Sequence, residues 1–434
     1  MIRRTIREWE RIGYGTDETT IPAAQADRIA ATARASDFSR IGGNEVLEHG
    51  RKGLRARGVV GVIASPDCQL EILPKIESAG ESGANNDTLR HRLVHMLAVV
   101  WDIDVDTGAI TQLGWQRDTI LELLIRLFCN KLADAVRQGM PRQYIDQEAD
   151  LPALRGRLDV TRQFSALAIS PQKLACRFDG LSPDIAHNQV MRAAIGKLSR
   201  LARAPDNQRI LRELNFAYAD ISEVPTGALR WDLIVLDRTN RRWRELLFLA
   251  CRFLDDRHQQ TSAGPIHGHA LLFEMNVLFE AYVAKLLTRA LADTDLSVSA
   301  QGGLRHCLFE RDAGRFQTRP DLIVRRGRRT SLIIDTKWKR ITTHVDDPKH
   351  GVSQADVYQL MAYGQIYDCP QVMLLFPHHA ALPPDPILQR YSIARRDANE
   401  DLFIATLDVT GSRRAHEAAL RALVLDRLNT TVVA

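Results

Sequence analysis

Two short apolar segments in the last third of the chain constrain its fold most strongly, because each contains an acidic residue at one end. Residues 318–324 read Thr-Arg-Pro-Asp-Leu-Ile-Val, and residues 331–337 read Ser-Leu-Ile-Ile-Asp-Thr-Lys. Between them, residues 325–329 comprise four arginines and one glycine. Runs of β-branched and apolar residues that flank a short glycine-containing segment are typical of a hairpin. The pattern therefore predicts two strands joined by a tight basic loop.

The acidic residues of this hairpin are candidates for metal chemistry. Because side chains alternate along a strand, Asp321 and Ile323 share one face, while Ile333, Asp335 and Lys337 share another. A hairpin would bring Asp321 close to Asp335 and Lys337 at one end of a sheet. Two carboxylates and an ammonium there could hold a divalent cation and position a water on a phosphodiester. The alternative is an ordinary solvated strand end, since Asp-x-Lys is a common tripeptide.

The fold class expected is α+β with several domains. Residues 1–110 have a mixed, β-rich pattern, residues 111–262 are mostly helical, and residues 263–434 alternate helices with strands. A loop is expected at 77–86 and a linker at 261–265, from their glycine, serine and proline content. Periodicity predicts strands at 59–64, 70–74, 296–300 and 372–376, and helices at 23–35, 89–100, 115–137, 182–203, 241–254, 271–292 and 354–366.

Composition narrows the class of protein only slightly. The 434 residues are 45% hydrophobic, so the chain can bury substantial cores. Its net charge of +5 permits a nucleic-acid partner without requiring one. The six cysteines are scattered without a C-x-x-C pair, which argues against a zinc ribbon or a disulfide framework. With no secretory signal and no apolar run long enough to span a bilayer, we expect a soluble, cytoplasmic protein.

The residues around the hairpin strengthen the catalytic interpretation. Glu280 lies on a predicted helix before the two strands, and the helix after them carries Gln359 and Tyr363, four residues apart on one face. The order of helix, three strands, helix and strand resembles the PD-(D/E)XK nuclease superfamily, including its Q-x-x-x-Y element. The resemblance implies an α/β nuclease domain over residues 263–434.

A second resemblance covers most of the chain. Residues 58–63, 70–76, 154–159 and 181–188 are similar to McrC proteins, as are Arg-Pro-Asp at 319–321 and Asp-Thr-Lys-Trp-Lys at 335–339. That family is the nuclease subunit of McrBC-type modification-dependent restriction systems. Its partner is an AAA+ GTPase ring, and a separate domain of that partner recognises methylated DNA. The sequence contains no G-x-x-x-x-G-K-[ST] phosphate-binding loop, so we expect this chain to bind no nucleotide itself.

The resemblance also implies roles for particular residues. Asp321 and Asp335 would ligate Mg²⁺, or Mn²⁺ in its place, with the backbone carbonyl of Thr336 as a further oxygen ligand. Lys337 would orient the attacking water or help to deprotonate it. Glu280 would contact the metal through water.

More distant roles are implied for other side chains. Gln359 and Tyr363 would support the site or touch the DNA backbone. The four loop arginines would follow phosphates or simply form a solvated hairpin tip, and they are Arg325, Arg326, Arg328 and Arg329.

The expected function is therefore a Mg²⁺-dependent DNA endonuclease subunit of a McrBC-like 5-methylcytosine restriction complex, a system of phage defence. Residues 1–110 and the middle helices would bind the GTPase hexamer and stimulate its hydrolysis. Cutting both strands would require two nuclease sites, so we expect complexes to pair. Two alternatives remain: a free-standing PD-(D/E)XK repair nuclease, and a non-catalytic activator of an NTPase.

Overall fold

The structure is a computed structural model. It describes residues 2–36, 40–41, 43–75, 86–102, 119–170, 172–236, 243–254, 268–311, 313–341, 351–393 and 400–430. The predicted linker at 261–265 lies outside these residues, as does nearly all of the predicted loop at 77–86. The described residues belong to two compact units, residues 1–120 with 257–434, and residues 121–256.

The α-helices within the described residues are α1 (Ala23–Arg34), α2 (Asn86–Val100), α3 (Ile120–Arg137), α4 (Val160–Phe164), α5 (Ala186–Leu201), α6 (Pro205–Ala217), α7 (Arg244–Leu254), α8 (Met275–Ala290), α9 (Gln354–Ile366) and α10 (Arg413–Thr430). The strands are β1 (Ile2–Arg7), β2 (Arg11–Ile12), β3 (Arg40–Ile41), β4 (Asn44–Glu45), β5 (Leu47–Gly50), β6 (Gly53–Ala56), β7 (Val59–Ala64), β8 (Cys68–Leu73), β9 (Gln143–Leu151), β10 (Arg157–Leu158), β11 (Leu174–Ser182), β12 (His269–Glu274), β13 (Leu296–Ala300), β14 (His306–Glu310), β15 (Ala313–Gln317), β16 (Leu322–Arg326), β17 (Arg329–Thr336), β18 (Gln371–Pro377), β19 (Ile387–Ile393) and β20 (Glu400–Leu407).

The first unit contains a four-stranded sheet in the order β1-β8-β7-β12. The predicted hairpin of β7 and β8 is confirmed, and β1 pairs with β8 in parallel. Strand β12 comes from much later in the chain and pairs antiparallel with β7. Helix α1 packs on this sheet, where Ile29, Ile63, Leu70 and Leu272 share one buried core.

One prediction in this unit is wrong. A helix was expected from residue 271, but residues 269–274 form strand β12, and α8 begins at Met275. The run Ala-Leu-Leu-Phe is short and wholly apolar, so its periodicity fits a buried strand as well as a helix. Pairing with β7 decides between the two.

The same unit contains a six-stranded mixed sheet in the order β13-β16-β17-β18-β20-β19. Strand β16 is antiparallel to β13 and β17, whereas β18 is parallel to β17 and β20. Every residue of β18 is buried, which is typical of a strand covered on both faces. Helix α9 packs on one face, where Leu360 and Tyr363 share a core with Ile323, Ile333 and Leu374.

The register of β16 and β17 corrects the expected arrangement of their side chains. Ile323 lies opposite Ile333, and Leu322 lies opposite Ile334. Side chains of directly opposed residues point to the same face. The two acidic strand ends therefore lie on one face, the face covered by α9, rather than on two different ones. The loop of the hairpin turns at Gly327, whose φ of +61° suits glycine.

The second unit contains α3 to α7 together with a sheet that the sequence did not predict. Strands β9 and β11 pair antiparallel along all nine residues of each, and β10 adds to β11. Their neighbourhood was expected to be mostly helical. Strand β9 is hard to predict because its half-buried face carries only Ile145, Ala149 and Leu151 as apolar residues and is interrupted by Gln147. Helix α5 begins at Ala186 with Ile185 as its N-cap, several residues after the predicted start at 182.

None of the helices in the described part of the chain combines the length and the apolar character that crossing a bilayer requires.

Candidate active site

The candidate site lies where β16 begins and β17 ends. Continuing the register past Leu322 and Ile334 brings Asp321 opposite Asp335. One carboxylate oxygen of Asp321, Oδ2, accepts two hydrogen bonds from Thr336, from its backbone amide at 2.8 Å and from Oγ1 at 2.9 Å. The structure thus brings together the two predicted carboxylates, and it adds the Thr336 hydroxyl, which sequence reasoning had not assigned.

Lys337 pairs directly with Asp335 in this site. Its Nζ lies 2.8 Å from Asp335 Oδ2, and the Asp335 side chain is only 2% exposed. Burial and then the charge of Asp321 raise the pKa of Asp335 to about 6, although Lys337 opposes the shift. Burial lowers the pKa of Lys337, but its hydrogen bond to Asp335 and nearby carboxylates outweigh this, so that pKa is raised. The charges of Asp321, Asp335 and Lys337 therefore influence one another's ionisation.

The donor set suits a hard divalent cation. Burial also raises the pKa of Asp321, despite the hydrogen bonds from Thr336. The charge of Asp321 disfavours the ionised form of Asp335, and a divalent cation between the two carboxylates would relieve that repulsion. No group of three or more His, Cys, Asp or Glu side chains within the described residues could hold a metal ion. Mg²⁺ characteristically takes only one or two carboxylates, completed by water and phosphate.

Glu280 on α8 lies at the edge of the same site. Its Oε1 accepts a hydrogen bond of 2.9 Å from Gln301 Nε2, and the backbone amide of Gln301 donates to the carbonyl of Asp321 at 2.7 Å. Burial raises the pKa of Glu280, and the charges of Asp321 and Asp335 add to that rise. A third carboxylate is therefore within electrostatic reach of the predicted pair, where a water could bridge it to a cation.

The helix α9 supplies the other predicted residues. Gln359 Nε2 donates a hydrogen bond of 2.8 Å to Tyr363 Oη, and Tyr363 is buried against the sheet. Burial raises the pKa of Tyr363. The charge of Asp335 adds to this rise, and a hydrogen bond to the backbone of Arg319 opposes it. Tyr363 therefore lies beside the carboxylates, and Gln359 braces its hydroxyl.

One side chain in the site was missed by sequence reasoning. Asp356, in the first turn of α9, has Oδ1 3.8 Å from Lys337 Nζ and Oδ2 2.9 Å from Lys339 Nζ. It precedes Gln359 by three residues, so both lie on one face of the helix. That spacing could have revealed Asp356 once the face carrying Gln359 was assigned to the site.

The predicted DNA-binding arginines lie at the far end of the hairpin. Arg325 and Arg326 follow Asp321 by four and five residues along the strand, roughly 13 to 17 Å, and Arg328 and Arg329 lie at the turn beyond them. Arg325 Nη1 donates to Ser299 Oγ at 2.9 Å, and Arg326 Nε lies 2.9 Å from Asp295 Oδ2. Arg328 and Arg329 are exposed at the turn. The structure does not place these side chains beside the carboxylates.

Comparison with known proteins adds a family and a fold. The family model described as McrBC 5-methylcytosine restriction system component matches residues 54–377, roughly three quarters of the chain. The match includes both strands of the central hairpin and helix α9. No curated protein sequence matches the chain significantly.

Two solved structures are similar to the chain. One is a refined half-complex from a tetradecameric assembly of Thermococcus gammatolerans McrB AAA+ hexamers with bound McrC; its TM-score is 0.75 at 20% identity, over 98% of this chain and 99% of that one. The other is a cryo-EM structure of the Thermococcus gammatolerans McrBC complex; its TM-score is 0.53 at 22% identity, over 67% of this chain and 89% of that one. At these identities the likeness shows a shared fold.

Proposed function

The chain belongs to the McrBC family of 5-methylcytosine restriction system components, and on that premise we propose that it is the Mg²⁺-dependent DNA endonuclease subunit of such a system. One observation carries the proposal: Asp321, Asp335 and Lys337 converge at one end of the β16–β17 hairpin, with Lys337 Nζ 2.8 Å from Asp335 Oδ2. A carboxylate pair with an adjacent ammonium suits phosphodiester hydrolysis.

Each residue of the site has a separate role in the proposed phosphodiester hydrolysis. Asp321 and Asp335 would hold Mg²⁺, with the Thr336 carbonyl as a further ligand, and the ion would supply a Lewis acid for charge developing on the phosphate. Lys337 would orient the attacking water and stabilise that charge, because its cationic form is favoured by the surrounding carboxylates. Glu280, whose raised pKa favours proton uptake near the site, would act through a water.

The supporting residues would keep this geometry fixed. Tyr363, braced by Gln359 at 2.8 Å, would limit the movement of the carboxylates and offer its hydroxyl to the DNA backbone. The PD-(D/E)XK assignment of residues 263–434 is part of the proposal, supported by the order of α8, β13, β16, β17, α9 and β18 around the site.

The partner in this proposal is an AAA+ GTPase hexamer that recognises methylated DNA. A structurally similar protein, McrC, is described as bound to McrB AAA+ hexamers. Residues 1–110 and the middle region 111–262 would dock onto the ring. The second unit supports such a role because it exposes several large apolar side chains: Tyr144 at 73%, Phe164 at 77% and Ile169 at 91%. Complexes would pair so that two nuclease sites cut both DNA strands.

The proposal is tested in the complex reconstituted with its GTPase partner, on methylated duplex DNA with Mg²⁺. Asp335→Asn and Lys337→Ala, made separately, should each lower the cleavage rate at least about 100-fold while GTP hydrolysis is unchanged. Lys339→Ala is the matched control, since this exposed lysine also pairs with Asp356 but not with Asp335. Cleavage that survives both substitutions would show that the catalytic residues are assigned wrongly.

The same assay separates the two alternatives. Cleavage by the wild-type chain without partner or GTP would indicate a free-standing nuclease. A wild-type chain that stimulates GTP hydrolysis but cuts no DNA under any divalent cation would indicate a non-catalytic activator.

A further inference from the structure

A buried carboxyl from the start of the chain contacts the residue next to the proposed catalytic lysine. Glu8 follows strand β1 and is 3% exposed. Its Oε1 accepts two hydrogen bonds, from the backbone amide of Lys75 at 2.9 Å and from Trp338 Nε1 at 2.7 Å. Its own amide donates to the carbonyl of Leu73 at 2.9 Å. Glu8 thus joins the ends of β1 and β8 to a side chain 330 residues later.

Trp338 is held at several points. Its backbone amide donates to Asn276 Oδ1 at 3.0 Å, and its ring lies 5.3 Å from that of Phe279, measured between centroids. Asn276 and Phe279 belong to α8, the helix that carries Glu280. On the other side, the amide of Lys337 donates to the carbonyl of Leu375 at 2.9 Å. The backbone of Lys337 is therefore fixed between β18 and the anchored indole.

Packing alone does not account for a carboxyl at this position. Within the described part of the chain, Glu8 Oε2 is buried with no hydrogen-bond partner. Burial raises the pKa of Glu8, more than its hydrogen bonds lower it. An unsatisfied buried oxygen and a desolvated acid both cost stability, and such a cost calls for an explanation.

We propose that Glu8 is a positioning residue for the nuclease site: it fixes the Trp338 indole and thereby sets Lys337 against Asp335. The inference rests on the proposed function, because it assigns Glu8 a role in that reaction. A displacement of about 1 Å in a catalytic group can cost about 100-fold in rate. The N-terminal sheet is in this way a structural part of the site, although none of its residues belongs to the hairpin.

The test uses three variants in the reconstituted complex with Mg²⁺ and methylated DNA. Trp338→Phe removes the indole donor, and Glu8→Ala removes the acceptor. Both should lower kcat for cleavage about 10- to 100-fold, with KM for DNA and GTP hydrolysis unchanged. Glu8→Gln keeps a carbonyl oxygen as acceptor and should stay within about threefold of wild type.

Tyr282→Phe is the matched control for loss of one buried hydrogen bond. It removes a hydroxyl on the same helix α8, which lies 2.6 Å from His416 Nδ1. Its cleavage rate should equal that of wild type. If Trp338→Phe and Glu8→Ala cleave as well as Tyr282→Phe does, or if Glu8→Gln is as impaired as Glu8→Ala, Glu8 has no positioning role.

A second readout does not depend on cleavage. The backbone amide of Lys337 donates to the carbonyl of Leu375, and its hydrogen exchange, followed by NMR of the free chain, should be faster in Trp338→Phe and Glu8→Ala because residue 338 is no longer anchored. The Tyr282→Phe protein should keep the wild-type exchange rate. An unchanged exchange rate of this amide in both variants overturns the inference. If the wild-type protein cuts no DNA while both variants show the faster exchange, the positioning role stands and the proposed function is overturned.

Discussion

Thr336 donates two hydrogen bonds to the same oxygen of Asp321, from its amide at 2.8 Å and from its hydroxyl at 2.9 Å. Both stabilise the ionised carboxylate, against the burial that raises its pKa. In the proposed site, the other oxygen of Asp321, Oδ1, would ligate the cation. The residue predicted to offer only a backbone carbonyl therefore orients the carboxylate beside it.

Thr336→Val should weaken Mg²⁺ binding because it removes the hydroxyl donor and keeps the shape of the side chain. A hydrogen bond to a charged group is worth about 1.5 kcal/mol or more, so the Mg²⁺ concentration that half-saturates cleavage should rise roughly tenfold. Thr336→Ser retains the hydroxyl and should resemble wild type. Equal Mg²⁺ requirements for the Val and Ser variants would mean that the hydroxyl of Thr336 does not affect Mg²⁺ binding by Asp321.

Mg²⁺ binding to the free chain should depend on pH through Asp335. Burial and the charge of Asp321 raise the pKa of this carboxyl to about 6. The cation needs the ionised form, so the Kd for Mg²⁺ measured by calorimetry should rise about tenfold for each pH unit below that value. In Asp335→Asn this part of the pH dependence should disappear. A Kd that stays constant between about pH 5 and 7 would contradict the assignment.

The raised pKa of Asp335 also predicts how the stability of the metal-free protein varies with pH. The folded-state pKa of about 6 exceeds the ordinary value of 3.8, so the stability that the neutral carboxyl contributes is present below pH 3.8 and lost as pH rises through about 6. Asp335→Asn stays neutral throughout. Its gain in free energy of unfolding over wild type, measured with urea, should therefore be larger at about pH 7 than at about pH 4. An equal difference at both pH values would count against the shift.

Much of the hairpin could be predicted from local sequence, because β16 and β17 are strongly apolar runs around a glycine turn. Their end residues, Asp321 and Asp335, were identified for the same reason. The register was not available from the sequence, and it is the register that brings both carboxylates to the face of α9. The hairpin of β14 and β15 was missed because nearly all of its residues are exposed, so no buried alternation marks it.

Contacts between segments that are distant in the chain could not be predicted from the sequence. Strand β12 pairs with β7 across some 200 residues, so the β-rich start of the chain and the candidate site share one compact unit. Likewise, nothing local marks Glu8 as a partner of Trp338. Asp356 reads as an ordinary acidic residue in the first turn of a helix, where the helix dipole favours it. Only packing of α9 on the sheet brings it to Lys337.

Asp356→Asn should shift the alkaline limb of the cleavage profile to lower pH. Asp356 is one of the carboxylates that raise the pKa of Lys337, so removing its charge lowers that pKa and the cationic form is lost earlier as pH rises. The measurement is kcat against pH for the reconstituted complex. Asp368→Asn, an exposed residue just after α9, serves as the control. A limb that does not move would show that Lys337 does not act as a cation, or that Asp356 does not reach it.

Glu71→Gln should destabilise the first unit strongly, because Glu71 is 1% exposed and joins three segments. Its Oε2 accepts from Arg90 Nη2 at 2.7 Å and from Thr5 Oγ1 at 3.1 Å, while Oε1 accepts the backbone amide of Ile120 at 2.9 Å, at the start of α3. Neutralising Glu71 leaves Asp87 as the one remaining ion-pair partner of Arg90 among these residues. Removing one partner of a buried ion pair costs about 3 kcal/mol.

The matched control for this loss is an exposed pair. Glu213 and Arg209 lie one helical turn apart on α6, and each side chain is 63% exposed. Exposed pairs contribute little because water screens them and the side chains lose entropy, so Glu213→Gln should change the free energy of unfolding by less than about 0.5 kcal/mol. Urea denaturation of both variants tests the comparison. Similar losses for the two would show that the buried network of Glu71 contributes no more than a surface ion pair.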